Sequence, residues 1–265
     1  MKEGLKFKEV KRALRHNKVL ADSPELGYKK KEHEWGISGV YDSSINDFGS
    51  TFIPLSQVSQ NTGLHLEQQG KIFKNYIEDT LSQKEKQGLT AVEFGGPGSK
   101  LFEGFTKNFF NRTIGVCLKD IRDSKTKEND TRNNHSVIEG DILDVRNDDK
   151  LLAEVLQSLH TNKIDLIICR MVGPIKYIDK HPIIMERTMK NWYEILNENG
   201  LMFIQFQFYE AIPGHDPTTD LIKKWSVAIK EKYPEIDVQV INGALRLHKR
   251  IGSPEKLPSA IQVFK

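Results

Sequence analysis

One stretch of the chain holds the residues best suited to binding a ligand, Thr90-Ala-Val-Glu-Phe-Gly-Gly-Pro-Gly-Ser-Lys-Leu101. An apolar run ends near an acid, Glu93, and small residues follow at once. Glycines let a ligand approach the backbone closely, because a side chain there would collide with it, and the start of a helix favours a negative group. The stretch therefore predicts a strand, a ligand-binding turn and a helix in succession.

Acids also follow the next two apolar runs. Ile114-Gly-Val-Cys-Leu-Lys-Asp120 ends in one, and His135-Ser-Val-Ile-Glu-Gly-Asp-Ile-Leu-Asp144 places Asp141 just after the other. In an open α/β sheet, ligands bind in the crevice outside the carboxyl ends of the strands. The residues expected to converge on one crevice are Gly95, Asp120, Asp141 and Arg170.

In their order along the chain, these stretches resemble the motifs of the Rossmann-like (class I) S-adenosylmethionine-dependent methyltransferases. The resemblance covers about residues 88–208 and includes the entry into the fifth strand at Gly200. It implies that Glu93 holds the methionine amino group, that Asp120 accepts the ribose hydroxyls and that Asp141 meets the adenine. The cofactor implied is S-adenosyl-L-methionine, and the residues implied to bind it are Glu93, Gly95, Gly96, Gly98, Ser99, Asp120, Asp141, Ile142, Arg170 and Met171.

Two positions depart from the family pattern. The glycines stand second, third and fifth after Glu93 instead of at alternate positions, so that Ser99 takes the place of the last one. Cys117 fills the usual position of the ribose-binding acid, which makes Asp120 a displaced candidate. These departures leave open an alternative, a methyltransferase-like domain that keeps the fold as a binding or scaffold protein.

A NAD-dependent oxidoreductase is the less favoured alternative, although it too would use a glycine-rich first turn. The dinucleotide fingerprint GxGxxG is absent, because Leu101 stands where its last glycine should be. The sequence also has no Tyr and Lys pair at the spacing that short-chain dehydrogenases use. We therefore expect a methyltransferase.

Methyl transfer from a sulfonium is an in-line displacement, so the enzyme must align the acceptor and, for some acceptors, remove a proton. The base is expected near the ends of the fourth and fifth strands. The candidate catalytic residues are Arg170, as a clamp on an anionic acceptor, and His181, Tyr209 and His215. The sequence does not identify the acceptor, and we favour a small molecule over RNA or protein. No His, Cys or carboxylate spacing indicates a metal site.

The elements that must position these residues follow from hydrophobic periodicity. From about residue 88 onward, apolar runs of strand length alternate with amphipathic stretches, which predicts an α/β fold with a doubly wound, mostly parallel sheet. The predicted strands are 90–94, 113–118, 136–139, 164–169 and 201–208, and short runs at 238–241, 244–247 and 261–264 predict an antiparallel C-terminal end, with the last two pairing. The predicted helices include 99–110, one beginning near Asp148, one ending at Gly200 and 219–233.

Residues 1–87 are predicted to form an N-terminal helical and loop extension, and residues 88–265 the cofactor-binding domain. Residues 1–31 hold ten Lys or Arg against four acids, and this basic arm keeps RNA open as a partner. Residues 35–58 are rich in Gly and aromatics and predict either a lid or a loop packed on the sheet, and 66–81 predicts a helix. Residues 119–135 hold one apolar residue, which predicts an exposed loop or a poorly packed helix, with the N-terminal region covering the sheet face instead.

The composition of the 265-residue chain bears on where the protein is located and on the state of its cysteines. No apolar run approaches the ~20 residues of a membrane span, and the basic start lacks the apolar core of a signal peptide. We therefore expect a cytoplasmic protein without a transmembrane segment. The two cysteines, Cys117 and Cys169, lie in separate apolar runs, so buried free thiols are expected. The oligomeric state is left open.

Overall fold

The computed structural model describes residues 42–52, 66–82, 88–117, 119–140, 142, 148–169, 182–205, 217–241 and 244–258. Two helices precede the first strand, α1 (Ile45–Phe52) and α2 (Leu66–Leu81). The elements that follow are β1 (Leu89–Phe94), α3 (Ser99–Glu103), β2 (Phe110–Cys117), α4 (Ser124–Arg132), β3 (His135–Glu139), α5 (Asp148–Leu159), β4 (Ile164–Cys169), α6 (Pro182–Ile195), β5 (Leu196–Gln205), α7 (Pro217–Lys232), β6 (Ile236–Ile241) and β7 (Ala244–Lys249).

The strands described form one seven-stranded sheet in the order β3-β2-β1-β4-β5-β7-β6. The first five strands of the chain run parallel, and β7 runs antiparallel to both β5 and β6. This arrangement confirms the predicted α/β class, a doubly wound sheet with an antiparallel C-terminal end, and it is the Rossmann-like methyltransferase fold. Because β1 to β5 run parallel, all five end at the same side of the sheet, here named the carboxyl edge.

A buried acid fixes the opposite ends of the central strands. Asp165, which is 5% exposed, accepts hydrogen bonds from the backbone N–H of Thr90, at 2.8 Å, and from its hydroxyl, at 3.3 Å. Its other oxygen accepts from the side-chain amide of Asn197 on β5, at 3.0 Å. Because buried carboxylates are stable only when they are hydrogen-bonded, these contacts hold β1, β4 and β5 in register.

The helices α5, α6 and α7 cover one face of the sheet. Phe94 of β1 stacks on Trp192 of α6, with ring centroids 4.4 Å apart and the rings inclined by 9°. The apolar side of α5 is buried in the same core as predicted, through Leu151, Leu152, Val155 and Leu159. The amphipathic helices that follow β3, β4 and β5 therefore cover this face of the sheet.

The other face is covered by the N-terminal helices. Phe203 of β5 contacts Phe52 of α1, with ring centroids 5.3 Å apart, and Phe73 of α2, with centroids 4.9 Å apart. Phe48 and Ile77 are fully buried in the same core. The prediction that the N-terminal region covers this face is confirmed. Within the stretch 35–58, α1 packs on the sheet, and most of the remainder lies outside the described residues.

Two predicted helix ends are wrong. The helix predicted over 99–110 ends at Glu103, because the chain turns at Gly104 and the backbone N–H of Thr106 donates to Glu78 of α2 at 2.7 Å. The rings of Phe105 and Phe109 stack beyond the end of the helix, 6.2 Å apart, so their four-residue spacing imitates a helical repeat. The helix predicted to end at Gly200 stops at Ile195, because the next residue already pairs with β4.

The polar residues 119–135 contain a helix, α4, that is almost entirely exposed. In α4 the single buried side chain is that of Asp130. Asp123 caps the helix by accepting a hydrogen bond from the N–H of Thr126, at 2.7 Å. This confirms the expected poorly packed helix.

The C-terminal strands correct one prediction. β7 has β5 on one edge and β6 on the other, so the predicted pairing of 244–247 with 261–264 is wrong. Residues 261–264 themselves lie outside the described residues. None of the helices described is both long and apolar enough to cross a bilayer.

We expect Phe203→Ala to lower the free energy of unfolding by about 3–5 kcal/mol, because it removes the ring that joins α1 and α2 to the sheet. The matched control is Val227→Ala on α7, where the side chain is 57% exposed and a change within about 0.5 kcal/mol is expected. Urea unfolding of both variants measures the difference. Equal costs at the two positions would contradict the packing of the N-terminal helices on this face.

Candidate functional site

The carboxylate of Glu93 lies directly against the glycine-rich turn. Glu93 is 1% exposed near the end of β1. A Cβ at Gly96 would come within 2.3 Å of its Oε1 atom, so no larger residue fits there without displacing the acid. Gly95 has a φ of 104° and donates its N–H to Val116 of β2 at 2.7 Å, which a residue with a side chain would do under strain. The turn therefore places backbone and a buried carboxylate side by side at the carboxyl edge.

The turn also rests on β2. A Cβ at Gly115 would lie 2.0 Å from the carbonyl oxygen of Pro97, so this strand position has to be glycine for the turn to approach. The same carbonyl accepts a hydrogen bond from Nε2 of His135 on β3, at 2.7 Å. Since Nε2 carries the proton, Nδ1 accepts from the hydroxyl of Thr113, at 2.8 Å. Burial lowers the pKa of His135, which keeps this neutral tautomer in place.

Ser99 anchors the end of the turn to a distant helix. Its hydroxyl donates to Oδ2 of Asp130 on α4, at 2.7 Å. Gly98, just before it, has a φ of 75°, a conformation that glycine adopts without strain. Ser99 is thus more than a small residue in the place of a glycine, because its hydroxyl ties the turn to α4.

The predicted ribose ligand, Asp120, lies near this edge but is held by two basic residues. Arg122 donates from Nε and Nη2 to the two carboxylate oxygens, both at 3.0 Å, and Lys127 lies 3.2 Å from one of them. The hydrogen bonds from Arg122 hold the pKa of Asp120 well below its usual range. Asp120 is therefore ionised and oriented, and its role toward a ribose stays a prediction.

Cys117, the last residue of β2, occupies the usual position of the ribose-binding acid. Burial, together with the charges of Asp120 and Glu139, raises its pKa to about 11, so the thiol stays protonated at neutral pH. Its Sγ donates to the carbonyl of Lys119, at 3.2 Å. The thiol at this position therefore contributes no charge to the site.

Glu139 is a candidate site residue that the sequence did not indicate. It pairs with Cys117 across β2 and β3, it is exposed, and its Oε1 accepts from the backbone N–H of Asp120, at 2.8 Å. The available signal was its place as the last residue of the third strand, two positions before Asp141. The carboxyl edge therefore carries a second acid beside Asp120.

The remaining predicted residues divide into two groups. The side chain of Ile142 is 6% exposed and packs in the core beneath α5. Asp141, Arg170, Met171, His181, Tyr209 and His215 lie outside the described residues. Among the described residues, no group of three His, Cys, Asp or Glu side chains could hold a metal ion. The structure thus brings Glu93, the glycine-rich turn and Asp120 to one edge.

No protein-family model matches this sequence, and no curated protein is similar to it. Among solved structures, the MycE methyltransferase from the mycinamycin biosynthetic pathway, in complex with Mg, SAH and mycinamycin VI, is 14% identical, with a TM-score of 0.42. The match covers 69% of this chain and 47% of that one, so this chain spans about half the length of MycE.

Two shorter structures are matched over most of their length. An rRNA methylase from Streptococcus thermophilus is 11% identical, covering 65% of this chain and 93% of that one, with a TM-score of 0.40. The sugar N-methyltransferase KedS8 from a Streptoalloteichus species is 11% identical, covering 74% and 96%, also with a TM-score of 0.40. The order and direction of the strands in this chain remain the basis of its fold assignment.

We expect Gly115→Ala to lower the free energy of unfolding by about 1–3 kcal/mol, because the new methyl group would push the Pro97 carbonyl away from β2. The control Ser136→Ala, at an exposed position of neighbouring β3, should change it by less than about 0.5 kcal/mol. Urea unfolding compares the two variants. A Gly115→Ala cost as small as that of the control would refute the close approach of the turn.

The burial of His135 predicts a pH dependence. Its folded-state pKa lies below the ~6.5 of an unfolded histidine, so between these values the unfolded chain binds more protons. The stability contributed by this group is full above about pH 6.5 and is lost as the pH falls through that window. His135→Gln should reduce the stability lost between about pH 7.5 and 5.5, as measured by urea unfolding. An unchanged pH dependence in the variant would contradict the assignment.

Proposed function

We propose that this protein is an S-adenosylmethionine-dependent methyltransferase. The observation that carries the proposal is the buried carboxylate of Glu93 packed against the backbone of Gly96, at the carboxyl edge of a sheet with the methyltransferase strand order. A buried carboxylate there can hold an ammonium group, and a backbone without side chains leaves the ligand room to lie along the turn.

The residues fit the two ends of this cofactor. Glu93 would hold the methionine amino group, and the backbone of Gly95, Gly96 and Gly98 would lie along the methionine. Asp120 would face the ribose, already ionised by its contacts with Arg122. Asp141 and the backbone N–H of Ile142 would contact the adenine. When bound, the cofactor supplies a methyl group on a positively charged sulfur.

The acceptor belongs at the ends of β4 and β5, next to the methionine end of the site. Arg170, which follows β4 directly, would clamp an anionic acceptor, and His181, Tyr209 or His215 would accept its proton. A small molecule is the acceptor we favour, and RNA held by the basic arm 1–31 is the alternative. These acceptor-side roles, like the cytoplasmic setting and the division at residues 87 and 88, are predictions from the sequence.

We expect the wild-type protein to bind S-adenosylhomocysteine in calorimetry and Glu93→Gln to bind it about 10- to 100-fold more weakly, because a charge-assisted hydrogen bond contributes ~1.5–3 kcal/mol. Glu128→Gln is the matched control, since this α4 side chain is 71% exposed. Thermal shift with S-adenosylmethionine and NAD should show stabilisation by the former. Stabilisation by NAD alone would overturn the proposal in favour of an oxidoreductase.

One observation favours a second candidate, a binding or scaffold protein that has kept the fold. Cys117 stands where an acid is usual, and Asp120 is already held by Arg122 and Lys127. Incubation with methyl-tritiated cofactor, small-molecule acceptors and RNA separates the two candidates. Label transfer supports the enzyme, whereas cofactor binding without transfer to any acceptor supports the scaffold.

A further inference from the structure

The helix α4 is joined to the rest of the protein by charge. Its single buried side chain is Asp130, which is 4% exposed, whereas most helices of this size are held by an apolar face. A buried carboxylate is stable only with strong partners, and here both partners come from other segments of the chain. The two partners of Asp130 therefore determine the position of α4.

The partners of Asp130 lie on both sides of the proposed cofactor site. Its Oδ2 atom accepts from the hydroxyl of Ser99, at the end of the glycine-rich turn, and from Nη1 of Arg122, both at 2.7 Å. Arg122 in turn donates two hydrogen bonds to Asp120. One oxygen thus connects the turn after β1 with the segment after β2.

One buried guanidinium lies between two acids in this chain of contacts. Arg122 lies between Asp120 and Asp130 with its side chain 9% exposed. Burial alone would lower its pKa, but the hydrogen bonds that it donates to these two acids raise the pKa, so the guanidinium stays charged. Removing the charge of Asp130 would leave Arg122 with one acid and leave Ser99 with a weaker acceptor.

We propose that Asp130 is a positioning residue, which holds the glycine-rich turn and the segment 119–123 in one relative arrangement through Ser99 and Arg122. The inference rests on the proposed function, since these two segments would contact the methionine and ribose ends of the cofactor. Asp130 itself touches no ligand. It acts by fixing both segments before binding, so that less conformational entropy is lost when the cofactor binds.

The test compares Asp130→Asn with Glu128→Gly. The first removes the charge of Asp130 and keeps its shape. The second weakens the same helix at a side chain that is 71% exposed, because glycine is a poor helix former, and it leaves Ser99 and Arg122 their partner. Asp130→Asn should bind S-adenosylhomocysteine about tenfold more weakly in calorimetry, well below its melting temperature, while Glu128→Gly binds like wild type. Equal losses in both variants would overturn the proposal, because α4 would then matter only as a packed element.

A second measurement needs no ligand. Hydrogen exchange should speed up in Asp130→Asn at the backbone amides of both 95–104 and 119–123, whereas Glu128→Gly should affect α4 alone. The double variant Ser99→Ala, Asp130→Asn should bind no more weakly than Asp130→Asn, because the hydroxyl of Ser99 acts through its hydrogen bond to Asp130. Additive losses would contradict this coupling.

The outcomes separate this inference from the proposed function. If wild type binds S-adenosylhomocysteine and Asp130→Asn binds it equally well, the positioning role fails and the proposed function stands. If wild type does not bind it, the proposed function fails. Faster exchange in both segments would then retain Asp130 as the link between them, and unchanged exchange would refute the link as well.

Discussion

The close approach of the glycine-rich turn to the strands beneath it is the constraint on which the site depends. Gly96 makes room for the carboxylate of Glu93, and Gly115 makes room for the carbonyl of Pro97. Because there is no Cβ at either position, a buried acid, a bare backbone and the end of a parallel strand meet within a few ångströms. The hydrogen bond from His135 then holds the turn from the side. Each of these contacts fails if the turn rises from the sheet.

At the carboxyl edge the elements are held together by polar contacts, whereas elsewhere in the described structure they are held by apolar packing. The two faces of the sheet are closed by aromatic and aliphatic cores, whereas α4 is attached through Asp130. Apolar contacts tolerate small shifts, but hydrogen bonds of 2.7 Å to a shared oxygen do not. The region that would recognise a polar cofactor is thus held by directional interactions.

Hydrophobic patterning was sufficient to predict most elements. β4 and α2 have the predicted bounds, because β4 is buried along its whole length and α2 buries one face at helical spacing. The patterning failed where aromatic packing imitates that spacing, as at the end of α3. The anchoring of Ser99 could not be read from the sequence, because its partner lies 31 residues away on a helix without an apolar side. The acceptor-side candidates were chosen by residue type alone, and the described residues leave them untested.

The placement of α1 and α2 has a consequence for how the chain reaches its folded state. These helices are synthesised before β5, yet the rings of Phe52 and Phe73 pack on Phe203, which is separated from Phe52 by more than half of the chain. Until β5 has been synthesised, the helices have no complete surface to cover. Contacts this distant in sequence slow folding and prolong the exposure of apolar side chains. The apolar faces of α1 and α2 therefore stay incompletely covered during synthesis until the chain of β5 is available to pack against them.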